Sequence, residues 1–577
     1  MMKYLIILFF VLVSVFGYAA DADSTANKNK AVKLSGGFGA GVTFYGVKGI
    51  DPQRPPVFWD LRGSININIL NQVNIPFSFN ISQQNTNYTH PFNQFGLSPH
   101  YKAFTLHAGY SVMNFSEYSL NGVNFLGAGL EVNPNKSWVR GKILAGRFVE
   151  AVPYNSESTL FLNNPAYERW GYGLMLELGK PQNNIGLVFF KAQDISSSVN
   201  NIPGDVKLNP AENLVVGLTT LQKITKNLSF KGEIDQTAYT SNTKEDVITK
   251  TDYTYSNHLG SLFQPRLSTR FSYALTSSLD YTFKKLVFGL GYKRIGPDYQ
   301  SMGTVFIDNN KEEYLLKVRG LALKNKLTFM ANGGLQHSNL DDKNLSTNNR
   351  FIGSLNLGYT FSPQLNLNLN YSNFNTSNQI QQISHADSVR YVQTTNNIGL
   401  SANYNFKTEN KTHAILFSSN YSRAFTLYKT STFNYVLPDT VIEVKGDERE
   451  TASGFFNSNL GYNLGFTKIN AFMSLTLNYS DMRNENLNSQ TVGPVLTMGK
   501  NMLKKKLRLS LSVSYLNTYL DSKSSGDIIN NRITASYRLT TKHSFRLYAV
   551  NVNRRFTDGS RNSYSEFRGG IEYRFSF

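Results

Sequence analysis

Hydrophobic and polar positions alternate with a period of two along almost the whole chain. In Trp59-Asp60-Leu61-Arg62-Gly63-Ser64-Ile65-Asn66-Ile67-Asn68-Ile69 the odd positions are apolar or glycine and the even ones polar. Val73, Ile75, Phe77, Phe79 and Ile81 continue the pattern after a turn at Asn71-Gln72. Leu365, Leu367, Leu369 and Tyr371 alternate with asparagines, and Leu507, Leu509, Leu511, Val513 and Tyr515 with Arg508, Ser510, Ser512 and Ser514. Successive side chains of a strand point to opposite faces, so each segment has one apolar and one wet face.

Segment length separates the candidate architectures. Sandwich strands are typically about 5–6 residues long, whereas many segments here run about 9–14, and a tilted membrane-crossing strand needs about 9–11. Roughly 25 such segments follow one another without a helix-period stretch, a domain linker or a fixed repeat. The pattern predicts an all-β fold, a single large transmembrane antiparallel β-barrel over residues 33–577, because a closed barrel satisfies every backbone group inside lipid. Bacterial barrels normally have an even strand number, which gives about 24–26 strands, with 26 favoured. The ambiguity lies in segments 101–111, 118–132 and 138–148. Either one of them folds inside the barrel, or residues 158–162 add a short strand.

Short turns such as Lys284-Lys285, Ser362-Pro363-Gln364, 407–411 and 540–543 alternate with long connections at 241–267, 374–395 and 425–450. Short periplasmic turns and long extracellular loops are the outer-membrane arrangement. Tyr281, Phe283, Tyr359, Phe361, Tyr404 and Phe406 each fall just before a short turn, so they are the expected periplasmic aromatic girdle. Met1-Met2-Lys3, the apolar run Leu5 to Phe16 and the small residues Ala19, Ala20 and Ala22 predict a signal peptide over 1–22. Residues 23–32 then form a short periplasmic segment, which leaves little room for a plug domain ahead of the first strand.

Composition agrees with this reading. Only 17 % of residues are charged and 13 % are aromatic, with 40 Phe and 33 Tyr, which argues against ordinary soluble domains and against disorder. Cysteine is absent, so there is no disulfide framework, thiolate metal site or cysteine nucleophile. A net charge of +19 would suggest nucleic acid in a soluble protein. Here the lysines cluster at short turns, among them Lys504, Lys505 and Lys506, and acidic residues gather in long loops. A basic periplasmic rim facing anionic lipid headgroups is weighed against simple turn solvation.

The last residues alternate again. Phe567, Gly569, Ile571, Tyr573, Phe575 and Phe577 share one face. This ending resembles the carboxy-terminal insertion signal of bacterial outer-membrane barrels, which implies that Tyr573, Phe575 and Phe577 engage the barrel-insertion machinery. The Asn- and Tyr-rich composition, with Gly109-Tyr110, Phe115-Ser116-Glu117-Tyr118 and Gly127-Ala128-Gly129, resembles uncharacterised outer-membrane barrels of Bacteroidota. That resemblance implies no particular activity.

Charges that alternate with apolar residues inside strands are expected to face the lumen: Asp60, Arg62, Lys231, Glu233, Asp235, Lys317, Arg319, Arg508, Arg532 and Arg574. They either tune solute selectivity or pair with one another and with an inward loop. Catalytic signatures are thin. The eight histidines are scattered without a His-Glu-x-x-His pair. His385-Ala-Asp387-Ser388 is too compact for a triad, and Asp447-Glu448-Arg449-Glu450 lacks calcium-loop spacing. Gly36, Gly37, Gly39 and Gly41 do not form a dinucleotide loop; glycine at alternate strand positions thins one face for close packing. The expected function is a porin-like outer-membrane channel for small solutes, partly occluded by its loops, with no enzyme activity and no cofactor. The alternative is a non-conducting subunit of an outer-membrane secretion, assembly or display complex. Expected partners are outer-membrane lipid, the insertion machinery and other outer-membrane proteins, and not nucleic acid.

Overall fold

The alternation is realised as one antiparallel sheet that closes on itself. The structure, a computed structural model, describes residues 31–577 apart from 84–92, 135, 155–164, 204–205, 207, 249–261, 342–348, 379–389, 430–432, 438–439, 445–447, 486, 558 and 560. Residues 1–22, most of 23–32, residues 158–162, Asp447 and the His385-to-Ser388 run therefore lie outside the described residues. The sheet contains 27 strand segments, of which Gln94–Leu97 and His100–Tyr101 both fill one position between Val73–Ser82 and Phe104–Val112. The barrel has 26 strands.

The count is the favoured 26, and residues 158–162, one of the two routes considered, lie outside the described residues. The strand that makes the number even is Gln94–Tyr101, which is broken at Ser98-Pro99 and too short to show periodicity. The 118–132 segment divides. Its second part is the wall strand Asn124–Val132, while residues before it run inside the barrel. Two connections are shorter than expected, because Leu365–Asn378 and Arg390–Thr408 extend into one and Lys411–Lys429 and Glu448–Phe466 into the other. Glu448, Arg449 and Glu450 consequently belong to a strand and not to a loop tip.

Closure joins the first strand, Val32–Lys48, to the last, Tyr564–Ser576, with Phe38 opposite Phe575 and Ala40 opposite Tyr573. The early glycines make this seam possible. A Cβ on Gly37 would lie 2.2 Å from the Phe575 carbonyl oxygen, and Gly36, at φ +125°, would put one 2.1 Å from that of Ser64. Phe38 and Phe575 then pack at 5.4 Å between ring centroids.

The register assigns the two faces. Leu174, Leu187, Leu218, Leu290, Leu316, Leu477, Leu547 and Ile571 are exposed on the outer face. With strands about 4.8 Å apart and tilted about 40°, 26 of them enclose a cylinder roughly 50 Å across between backbones. Such an interior cannot be filled by wall side chains alone. On the outer face near the long-loop end, Phe263 folds back over Leu214 and Ala238 and is itself buried.

Candidate functional site

The register places all ten predicted strand charges on the inner face, opposite the exposed apolar set. Arg62 sits across from Gly39 and Asp60 across from Gly41, and the two side chains pair at 3.3 Å. Lys231, Glu233 and Asp235 follow one another on Leu228–Thr240. Lys317 and Arg319 face Asn332 and Met330. Arg532 lies opposite Ser512, Arg508 opposite Ser536, and Arg574 opposite Ser544. These charges do not form one site. Two of them, Glu233 and Asp235, receive an inward loop, and two others, Arg508 and Arg574, line a common recess.

Two connections from the long-loop end turn inward. Residues 113–123 carry Met113, Phe115, Tyr118, Leu120 and Val123 into the barrel, all buried. Residues 296–310 bring Tyr299 and Met302 to meet them. Gly303 and Thr304 pair in parallel with Leu120 and Asn121, so the two loops form one plug.

The plug lies on an arc of eight consecutive strands, from Asn124–Val132 to Leu286–Ile295. Met113, Phe115 and Leu120 join Phe125, Leu144, Phe148, Phe190 and Val215 in one apolar cluster inside the barrel. Phe148 packs on Phe125 and Phe190 at 5.6 and 5.5 Å. Glycines provide the recess: a Cβ on Gly173 would lie 2.6 Å from the Phe115 ring, and one on Gly129 2.3 Å from Met113 Sδ.

Polar anchors fix the plug's register. The Tyr118 backbone N–H donates to Glu233 Oε1 at 3.0 Å, and Ser116 Oγ donates to Asp235 Oδ1 at 3.4 Å. Fully buried Asn213 accepts from the Met302 N–H at 3.0 Å and donates to the carbonyls of Ala238 and Gln300. Thr237 Oγ1 also donates to the Gln300 carbonyl, at 2.7 Å. Lys293 reaches from the wall to Glu117 at 2.8 Å and lies over the Tyr118 ring. Tyr299 donates its hydroxyl to the Tyr118 carbonyl at 3.2 Å. Burial, followed by the charge of Glu117, raises the Tyr118 phenol far above the ordinary tyrosine range; burial and then Asp235 do the same for Tyr299. Both rings therefore stay neutral, and Tyr299 keeps its donation to the Tyr118 carbonyl.

The sequence reading expected occluding loops but did not locate the plug in residues 113–123 and 296–310, although strands Asn183–Ile195 and Glu212–Lys223 carry a visible sign of it. Leu187-Val188-Phe189-Phe190 and Leu214-Val215-Val216 are continuous apolar runs, which mark strands covered on both faces. It also missed a polar chain on the inner wall. Ser98 Oγ lies 3.0 Å from His107 Nδ1, and His107 Nε2 lies 3.0 Å from Glu131, which Lys142 also engages at 3.4 Å. The residue types are those of a hydrolase triad, but the surroundings are not. Pro99 offers no N–H beside the serine, and the Ser98 N–H is already bonded to the Pro76 carbonyl. No oxyanion donor is thus available at either position.

The six girdle candidates lie at the short-turn end on the outer face. Tyr281, Phe283, Phe361 and Tyr404 are exposed there. Tyr359 packs on Phe361, and Phe406 on Tyr404 and His413. Tyr573 bonds His543 at 2.7 Å, and the Phe577 N–H reaches the Gly36 carbonyl at 3.1 Å, so the proposed insertion signal is also part of the seam.

No protein-family model and no curated protein matches the chain. Among solved structures it is similar to the translocation pore of the P pilus usher PapC, at 11% identity and TM-score 0.36, covering 94% of this chain and 99% of that one. It is also similar to the copper transporter OprC, at 9% identity and TM-score 0.42, covering 94% and 81%. The FrpB iron transporter from Neisseria meningitidis gives 9% identity and TM-score 0.37, with the same coverage. The likeness is one of barrel fold.

Proposed function

We propose that the chain is an outer-membrane channel through which small solutes pass along the part of the lumen that the plug leaves open. The observation that carries this reading is the one-sided plug. It occupies an arc of eight strands in a barrel of 26, whose interior is too wide for two short loops to fill. Barrels of about 16–18 strands already leave an aqueous channel. The exposed apolar outer face is the lipid-facing band, the six girdle aromatics mark its periplasmic boundary, and the charged inner face borders water. In this reading Tyr573, Phe575 and Phe577 deliver the barrel to the insertion machinery after export through the signal peptide, and the chain has no catalytic role.

The test is planar-bilayer recording of the purified, heat-modifiable barrel, together with mild-detergent isolation of the native protein. Stable single-channel steps from the protein alone support the channel. A folded barrel that never conducts at any salt concentration, isolated with stoichiometric partner proteins, overturns it in favour of an assembly subunit.

A further inference from the structure

A recess of about 550 Å³ opens at the short-turn end, about half the ring of strands away from the plug. Its lining includes Arg508, Arg538, Arg574, Lys505, Lys506 and Lys542, and no Asp or Glu. The three arginines come from three strands but form one patch. Arg508 is opposite Ser536, Arg538 lies two residues further along the same face and opposite Ser544, and Arg574 is opposite Ser544 from the other side. Neighbouring strands lie about 4.8 Å apart, which puts the Arg538 stem within about 10 Å of each of the other two, while Arg508 and Arg574 flank it about 15 Å apart. The turn 503–506 then aims its lysines at the same rim, with Leu503, Lys504 and Lys505 all at positive φ.

Elsewhere on the inner wall, cations find carboxylates: Arg62 with Asp60, Arg140 with Glu177, and Arg546 with Glu572. Among the described residues, none of Arg508, Arg538, Arg574, Lys505 and Lys506 has a carboxylate within 4.0 Å. Glu572, two residues from Arg574 on the same face, is engaged by Arg546 at 3.6 Å. The three arginines are exposed to the lumen, and Arg508 is backed by the Phe472 ring at 5.3 Å. An exposed cluster of planar guanidiniums with no carboxylate within 4.0 Å among the described residues is suited to bidentate recognition of phosphate or carboxylate.

We propose that this recess binds a soluble solute carrying two or more phosphate or carboxylate groups, and that such polyanions are the class of solute the channel admits. The inference rests on the channel reading for transport but not for binding. A solute that cannot pass through the plugged arc moves along the opposite wall, where these arginines stand at the mouth. The cluster faces the lumen, which favours a dissolved anion over a lipid headgroup.

The test is calorimetric titration of the full chain in detergent with tripolyphosphate. The variants are Arg508→Gln/Arg538→Gln/Arg574→Gln and, as a control, Lys284→Gln/Lys285→Gln/Lys324→Gln, which removes the same charge from exposed turns. The arginine variant should bind at least tenfold more weakly and the lysine variant within twofold of wild type. Raising salt should weaken wild-type binding. If the triple arginine variant does not assemble, Arg538→Gln alone should lose about threefold. Absent binding, or equal weakening in both variants, overturns the site. Repeating the titration in phosphatidylcholine and phosphatidylglycerol nanodiscs separates the sources: equal affinity sustains a dissolved ligand, whereas loss only in phosphatidylglycerol overturns it in favour of lipid. Binding without conductance strikes the channel reading alone, and conductance without binding strikes the site alone.

Discussion

Asn213 holds the plug to the wall, and removing its side chain should release the inward loops measurably. In Asn213→Ala the Met302 N–H loses its acceptor at 3.0 Å in a fully buried position, while the Gln300 carbonyl keeps its bond from Thr237. A buried donor left unpaired costs about 1–3 kcal/mol, and the lost bond itself contributes about 1 kcal/mol. Docking should therefore weaken by about 2–3 kcal/mol, which raises the undocked fraction roughly 30- to 150-fold. The absence of native cysteine gives a clean readout. Ser119 is fully buried beneath the loop interface, its carbonyl held by Ser301. Ser119→Cys is close to isosteric, so its maleimide labelling rate should follow transient undocking. The rate should rise by that factor when Asn213→Ala is added, with heat-modifiability of the barrel unchanged. A rate within threefold of the single Ser119→Cys variant, in a folded barrel, would refute the assignment of Asn213 as an anchor.

Three further outcomes are expected. An Asn121→Cys/Thr304→Cys pair should form a disulfide without reductant because these residues are paired neighbours in the plug; persistent free thiols under oxidant would separate the loops. Phe575→Ala removes a buried ring from the seam, a loss of about 3–5 kcal/mol, and should sharply reduce heat-modifiable barrel, whereas normal levels would deny the seam its role. On intact cells a membrane-impermeant maleimide should label Asp246→Cys but not Lys285→Cys, and the reverse pattern would invert the topology.

What the sequence revealed follows from where each signal is local. The period-two alternation reports which face a residue takes, so the barrel and the inner position of Asp60, Lys317 or Arg532 could be read directly. Glycines spaced along the first strand likewise pointed to close backbone approach, which the Gly37–Phe575 contact provides. The plug was not legible in the same way. Leu120–Asn121 meets Gly303–Thr304 from a distant part of the chain, and no local period records such a contact. Residues 118–123 also continue an apolar pattern into the strand that follows, so they read as part of a wall segment over 118–132. Similarly, Arg508 and Arg574 were identified as separate lumen charges. Their common recess depends on the order of neighbouring strands and on Arg538, whose position beside a turn gave it no distinction in the sequence.

The position of the plug has a physical cause that links the glycine pattern to the proposed route of transport. Across Asn124–Val132 to Glu212–Lys223 the inner face alternates small residues with large apolar ones: Gly127 and Gly129 beside Phe125, Gly146 beside Leu144 and Phe148, Gly171 and Gly173 beside Met175. Left against water, such a surface would expose apolar area at roughly 25 cal/mol per Å². The glycines make it concave, so Met113 and Phe115 can enter, and the loop backbone approaches closely enough for the buried bonds to Glu233 and Asn213. The arc therefore needs a cover, and the two loops supply one. The wall opposite is more polar, and the recess it carries is lined by arginines and lysines. Its inner positions include Ser510, Ser512, Ser536, Ser544 and the arginines beside Leu516, Ile528, Tyr548 and Val550, and the polar ones lose nothing by facing water and would lose hydrogen bonds under an apolar lid. One pattern of small and large residues thus accounts for which arc the loops cover, and the proposed route of passage runs beside the cationic wall.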